Sequence, residues 1–147
     1  MHTNSCRVAT GRLLELRIGG FETPGDVDRF ADQVKSQLTA LAPGQRVVLV
    51  ADWRRCPVLT PPVAERVSAM LKRNSPQIER NALLHLSDQS ASLLQLFRVI
   101  QEAENPHRRL FSDPQALERF LGELLDDVEQ VRLQGFLGES QLSRQSA

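Results

Sequence analysis

The heptapeptide RVVLVAD, residues 46–52, limits the possible folds more than any other stretch of the chain. Val47 to Ala51 are all apolar and mostly β-branched, without the alternation expected of a strand that has one wet face. Such a strand needs cover on both sides. It therefore predicts a central strand of a mainly parallel sheet with helices packed above and below it.

The flanking segments fit that frame. Residues 6–18 read as a hairpin turning at Thr10-Gly11, with Leu14, Leu16 and Ile18 on one face and Glu15 and Arg17 on the other. TPGDVDRFADQVKSQLTAL places Val27, Phe30, Ala31, Val34, Leu38 and Leu41 on one helical stripe. Thr23 is its expected N-cap, with Pro24 at the first helical position and Asp26 in the first turn. Pro43-Gly44 stops it. A second helix follows Thr60, buries Val63, Val67, Met70 and Leu71, and closes at Asn74 to Pro76. NALLHL, residues 81–86, is a second buried strand, and RRLF, residues 108–111, a short third.

Between them lies a third helix, capped by Ser87 or Asp88 and ended by Asn105-Pro106. Its sheet-facing stripe is expected to be Leu93, Leu96, Phe97 and Ile100, with Leu94 and Val99 beside or outside it. Asp113-Pro114 opens a fourth helix whose stripe is Leu117, Phe120, Leu121, Leu124, Val128 and Val131. QGFLGESQLSRQSA, residues 134–147, is polar and punctuated by glycine, so a flexible tail is expected, with Phe136 and Leu137 a small hint of docking. The whole predicts one α/β domain. Its single sheet has four to five mostly parallel strands, an antiparallel N-terminal hairpin strand and four helices.

Eighteen basic and eighteen acidic residues give a formal net charge of zero. The basic excess of a nucleic-acid binder or a polybasic membrane-surface protein is missing. No apolar run approaches the roughly 20 residues needed to insert across a bilayer. The N-terminus lacks the apolar core of a secretory signal. Two cysteines, Cys6 and Cys56, occur without a CxxC or a histidine at metal-ligand spacing. A cytoplasmic protein with no metal and no cofactor is expected.

At this point the residues resemble a known superfamily. The hairpin ending in Gly20, the helix after Thr23-Pro24, the strand VVLVAD ending in aspartate and the closing RRLFSDPQALERFL span roughly residues 7–128. Together they resemble the SpoIIAA-like superfamily, the STAS-related domains of the bacterial anti-sigma-factor-antagonist type. The resemblance implies a STAS-like domain over residues 1–133 and a non-catalytic regulatory module that signals by protein–protein interaction. In the sigma-regulating members, a serine at the start of the helix after the central strand is phosphorylated within an Asp-Ser-x-Gly-like stretch. Here that stretch is VLTPPVAERV, with no Asp-Ser pair and no glycine, and Thr60 stands nearest the phospho-acceptor position.

Thr60 has a competing reading. Pro61 and Pro62 carry no N–H, so two donors that would hold a phosphate at this helix start are missing. What survives is a helix cap, the device also used at Thr23-Pro24 and Asp113-Pro114. Asp52, His85 and Asp88 form a conceivable acid/base cluster near strand ends, but the stronger reading is structural: Asp52 bonds loop amides or Arg54 and Arg55, His85 is a satisfied core histidine and Asp88 is a cap. Cys56 follows two arginines that could lower its pKa, although an inert thiol fits as well. Arg54, Arg55, Arg108 and Arg109 could meet as an anion-attracting patch. For protein contact the candidates are Trp53, Arg54, Arg55, Leu94 and Val99, with an unidentified protein partner or a homodimer as the expected occupant. The alternatives are a carrier of a small apolar ligand or lipid and, less favoured, an enzyme using Asp52 and His85.

Overall fold

The double burial expected of residues 47–52 is met in full. In the computed structural model, which describes residues 4–73, 76–85, 90–103 and 107–146, these residues form strand β3 (Val47–Asp52), and all six are buried. The remaining elements are β1 (Asn4–Thr10), β2 (Leu13–Ile18), α1 (Pro24–Thr39), α2 (Pro61–Lys72), β4 (Ile78–Leu84), α3 (Ser90–Ala103), β5 (Arg108–Phe111), α4 (Pro114–Gly122) and α5 (Asp127–Ser146). The strands lie in chain order, β1-β2-β3-β4-β5. β1 is antiparallel to β2, and every other pair is parallel.

Side-chain alternation divides the core in two. Leu14, Leu16, Val47, Leu49, Ala51 and Leu83 face α1, α2 and α3, whereas Leu13, Val48, Val50, Ala82 and Leu84 face α4 and α5. Three successive crossovers thus place their helices on one face, as a uniform handedness of β-α-β connections requires. The α/β architecture, the parallel sheet and the antiparallel first strand are as expected. The helix count is five.

The extra helix comes from a break that apolar periodicity hides. Val128 and Val131 continue the stripe of the expected fourth helix, yet they are 67% and 68% exposed. A reciprocal cap restarts the chain instead: Glu129 N–H donates to Asp126 Oδ1 at 2.8 Å, and Asp126 N–H donates to Glu129 Oε1 at 2.9 Å. The new direction turns Leu133, Phe136 and Leu137 onto the sheet. Residues 134–146, expected as a flexible tail, therefore belong to α5, and the hint from Phe136 and Leu137 was the correct one.

Helix α5 is held by charge as well as by apolar contact. Arg132 Nε and Nη2 donate to the two carboxylate oxygens of Glu15 at 2.6 and 2.8 Å. Glu15, on the polar face of the hairpin, is buried by this cover. Glu129 also accepts from Arg12 N–H at the hairpin turn. There Gly11 takes a left-handed φ of +53°, and a Cβ at this position would press on the Glu129 carboxylate.

Helix α3 is rotated relative to its expected setting. Leu96 and Val99 are buried, whereas Leu94 is 69% and Phe97 45% exposed. Helix α3 packs chiefly against α2 and only lightly against the four-residue edge strand β5, so Leu96 and Val99 form the buried stripe, with Ile100 partly buried against the same core. The expected stops and caps at Asn74, Ser87, Asp88 and Asn105-Pro106 lie outside the described residues, as does the side chain of Leu93.

The helix starts also differ from one another. Thr23 makes a complete capping box with Asp26, Thr23 Oγ1 accepting from Asp26 N–H at 3.2 Å. Thr60 occupies the cap position of α2 but makes no side-chain cap bond. Its carbonyl begins the helix, accepting from Ala64 N–H at 2.8 Å. In urea denaturation, Thr23→Ala is expected to cost about 1 kcal/mol, and Thr60→Ala to stay within about 0.5 kcal/mol. Arg132→Ala, which leaves the buried Glu15 carboxylate to the exposed Arg7 at 3.6 Å, is expected to cost about 2 kcal/mol.

Candidate functional site

Two faces of one sheet separate the residues that sequence grouped together. Asp52 points to the α5 side, where Arg54 Nε and Nη2 donate to its two oxygens at 3.0 and 3.1 Å. Arg54 Nη2 reaches on to the Leu137 carbonyl at 2.8 Å, and Arg17 donates to the Phe136 carbonyl at 2.8 Å. This cluster ties the end of β3 to α5. His85 lies on the opposite face, lining a small cavity of about 10 Å³ with Trp53, Cys56, Leu59, Gln95 and Leu96. Asp52 and His85 are thus divided by the sheet, and Asp88 lies outside the described residues.

Cys56 shares that small cavity, which has room for about one water molecule. Burial pushes its thiol up to about 12, the opposite of activation by the two preceding arginines. Gln95 closes the loop above it, accepting from Leu59 N–H at 2.8 Å and donating to Leu59 O at 2.7 Å.

The expected contact residues also divide. Trp53 continues the alternation of β3 onto the α1–α3 face and is buried, its ring edge-on to Phe21 at 6.3 Å between centroids. Arg54 is buried by its pair with Asp52, and Val99 by the rotation of α3. These three are inside the chain, contrary to their expected surface role. Arg55 and Leu94 remain exposed. The four arginines do not assemble into a patch. Arg54 belongs to the α5 face, and Arg109 stacks over the Phe120 ring at 4.9 Å. Arg108 turns the other way.

That turn leads to the feature sequence did not single out. A cavity of about 470 Å³ lies between the sheet, α1 and the end of α2. Its walls are mostly apolar: Leu16, Ile18, Leu49 and Leu83 from the sheet, Phe30, Val34 and Leu38 from α1, Met70 and Leu71 from α2. Two polar side chains enter it side by side, since Asn81 of β4 and Arg108 of β5 are register partners. Both are deeply buried, Asn81 5% and Arg108 8% exposed. Asn81 Oδ1 and Arg108 Nε and Nη1 have no hydrogen-bond partner among the described residues. Burial also pulls the Arg108 guanidinium below its usual range. The size and the mix of apolar walls with a few convergent polar groups are those of a small-molecule site. A second cleft, of about 450 Å³ beside Asn4 and Asp26, is different in kind. There Asn4 already binds the amides of Gly19 and Gly20, and Asp26 those of Glu22 and Thr23.

No protein-family model matches the chain, and no curated protein matches it. Among solved structures, it is similar to an uncharacterised protein of the DUF3478 family from Shewanella loihica PV-4, described as having a SpoIIAA-like fold. The similarity has a TM-score of 0.56 at 14% identity and covers 82% of this chain and 95% of the other. The chain has a SpoIIAA-like fold. Its five-stranded sheet with one antiparallel edge and helices on both faces agrees with the resemblance seen in sequence.

The thiol assignment carries a direct consequence. At pH 8, maleimide labelling of Cys56, located by peptide mass spectrometry, is expected to be negligible in the native protein and rapid in urea. Burial favours the neutral thiol, so its contribution to stability is intact below the ordinary value of 9.0 and is lost as pH climbs towards 12. Thermal midpoints should fall over that range, and less so in Cys56→Ala.

Proposed function

We propose that this chain is a non-catalytic binding module that takes up a small ligand with an apolar body in the cavity between the sheet, α1 and α2. The observation that carries this reading is the cavity itself, about 470 Å³ with leucine, valine and phenylalanine walls. It opens to solvent past the exposed Asp32, Lys35 and Arg73, and a cleft of this size with a mostly apolar floor has the dimensions and lining of a binding site. The separation of Asp52 from His85 and the inert Cys56 thiol leave the ligand to be held rather than transformed.

A second reading, a regulatory module working through protein contact, draws on α3. Leu94 and Phe97 stand exposed three residues apart, one helical step on the same side. Paired apolar side chains of this kind suit a protein partner or a second copy of the chain. Thr60, exposed at the start of α2, remains the residue through which such a module would be phosphorylated.

Native mass spectrometry of freshly purified protein tests the first reading. The expected spectrum has a species heavier than the chain by the mass of a small organic molecule. Ala31→Phe, which fills the cavity from α1, should abolish that species while circular dichroism stays unchanged. An identical adduct on the variant would place the ligand elsewhere. For the second reading, Leu94→Glu is expected to lower the solution mass measured across a dilution series if α3 joins two copies. No change in mass would remove the homodimer.

A further inference from the structure

Among the described residues, the arginines that are buried or half-buried follow a pattern with one departure. Arg132 is paired to Glu15, Arg54 to Asp52, Arg17 to Asp52 and Glu139, Arg80 to Glu123, and Arg12 to Glu79. Arg108 is more buried than all of these except Arg54. Yet two of its guanidinium nitrogens meet no acceptor among the described residues. A buried cation with no counter-charge among the described residues is an unfavourable arrangement for a core, and such groups cluster at sites where a ligand supplies the partner.

The surroundings of Arg108 agree in sign. Besides Arg108, the cavity lining contributes the basic Lys35 and Arg73 and the single acidic Asp32. Asp32, Lys35 and Arg73 are exposed, so the charges within reach of solvent are at the rim and the buried one is Arg108. The amide oxygen of Asn81 opens onto the same space and calls for a donor, which a head-group hydroxyl or a head-bound water supplies. Polar groups sit at one end of the sheet face, on β4 and β5. Apolar walls from β2, β3 and α1 occupy the rest.

Resting on the binding reading above, we propose that the ligand is an anionic amphiphile, an apolar chain or ring system ending in a carboxylate, with its charged oxygens on Arg108 and its body along Leu16, Leu49 and Val34. Arg108 is the selecting residue. It accepts an acid and discriminates against an alcohol or an amine with the same body, because only the acid supplies the missing counter-charge. Asn81 fixes the head beside it.

Trp53 supplies a built-in reporter, since it is the only tryptophan and lines this cavity. Protein stripped of bound amphiphile is titrated with decanoate, decanol and decylamine while tryptophan fluorescence is followed, on the wild type, Arg108→Met and Ala31→Phe. Decanoate is expected to bind wild type roughly thirtyfold more tightly than decanol, a preference lost in Arg108→Met. Ala31→Phe should bind neither. Arg108→Met also removes an unpaired buried charge, so the melting temperature of the stripped protein should rise by roughly 3 °C or more. A fall in melting temperature would mark Arg108 as structural and overturn the proposal.

Equal binding of decanoate and decanol to wild type, unchanged in Arg108→Met but lost in Ala31→Phe, would overturn the head-group assignment and leave the cavity reading standing. Binding of neither probe to the wild type would overturn both.

Discussion

Burial of β3 on both faces is the constraint from which the rest of the molecule follows. A strand reading Val-Val-Leu-Val-Ala-Asp has apolar side chains to hide in both directions, so the sheet cannot leave either side to water. The β-α-β connections fill one face with α1, α2 and α3. The other face then needs cover from the only chain left, and α4 and α5 provide it. Helix α5 must cross strands that carry Glu15, Arg17 and Asp52 on that side. Arg132 of the helix pairs with Glu15, its Phe136 carbonyl accepts from Arg17, and Asp52 is paired by Arg54, which in turn donates to the Leu137 carbonyl.

The two faces therefore end in different states. On the α5 face, polar groups are matched and the apolar residues close around them. On the α1–α3 face, Arg108 and Asn81 are buried beside a large apolar cavity without that matching. The same pressures, a core to fill and polar groups to satisfy, are met on one side and left partly unmet on the other among the described residues. Function is best sought where the rules are left unmet. Among the described residues, the unmatched groups are a cation, an amide oxygen and the indole N–H of Trp53, all beside one apolar cavity.

The strands and first helix were legible in the sequence because local signals and the fold agree there. Thr10-Gly11 turns the hairpin, Thr23 and Asp26 cap α1, and β3 shows its double burial directly in its composition. The break between α4 and α5 was masked, since Val128 and Val131 keep the helical period that the chain abandons at Asp126. The Asp126–Glu129 spacing, an acid three residues before a second acid, was the available signal for a new start. Trp53 looked like a surface contact because nothing local says that the strand's alternation carries one residue further. The candidate site was least visible. Asn81 and Arg108 are 27 positions apart in sequence, and only the register of β4 with β5 brings them together. Helix α3 misled in a different way. Its apolar residues outnumber what α2 and a short edge strand cover, so periodicity alone could not choose the buried stripe.

We place the ligand of this protein between the sheet, α1 and α2, and a filtered nuclear Overhauser experiment on isotope-labelled protein mixed with unlabelled decanoate tests that placement. The account predicts cross-peaks from the alkyl protons to the methyl groups of Val34, Leu49 and Leu83. Cross-peaks confined to Leu94 and Phe97 on α3, with none to those core methyl groups, would contradict it.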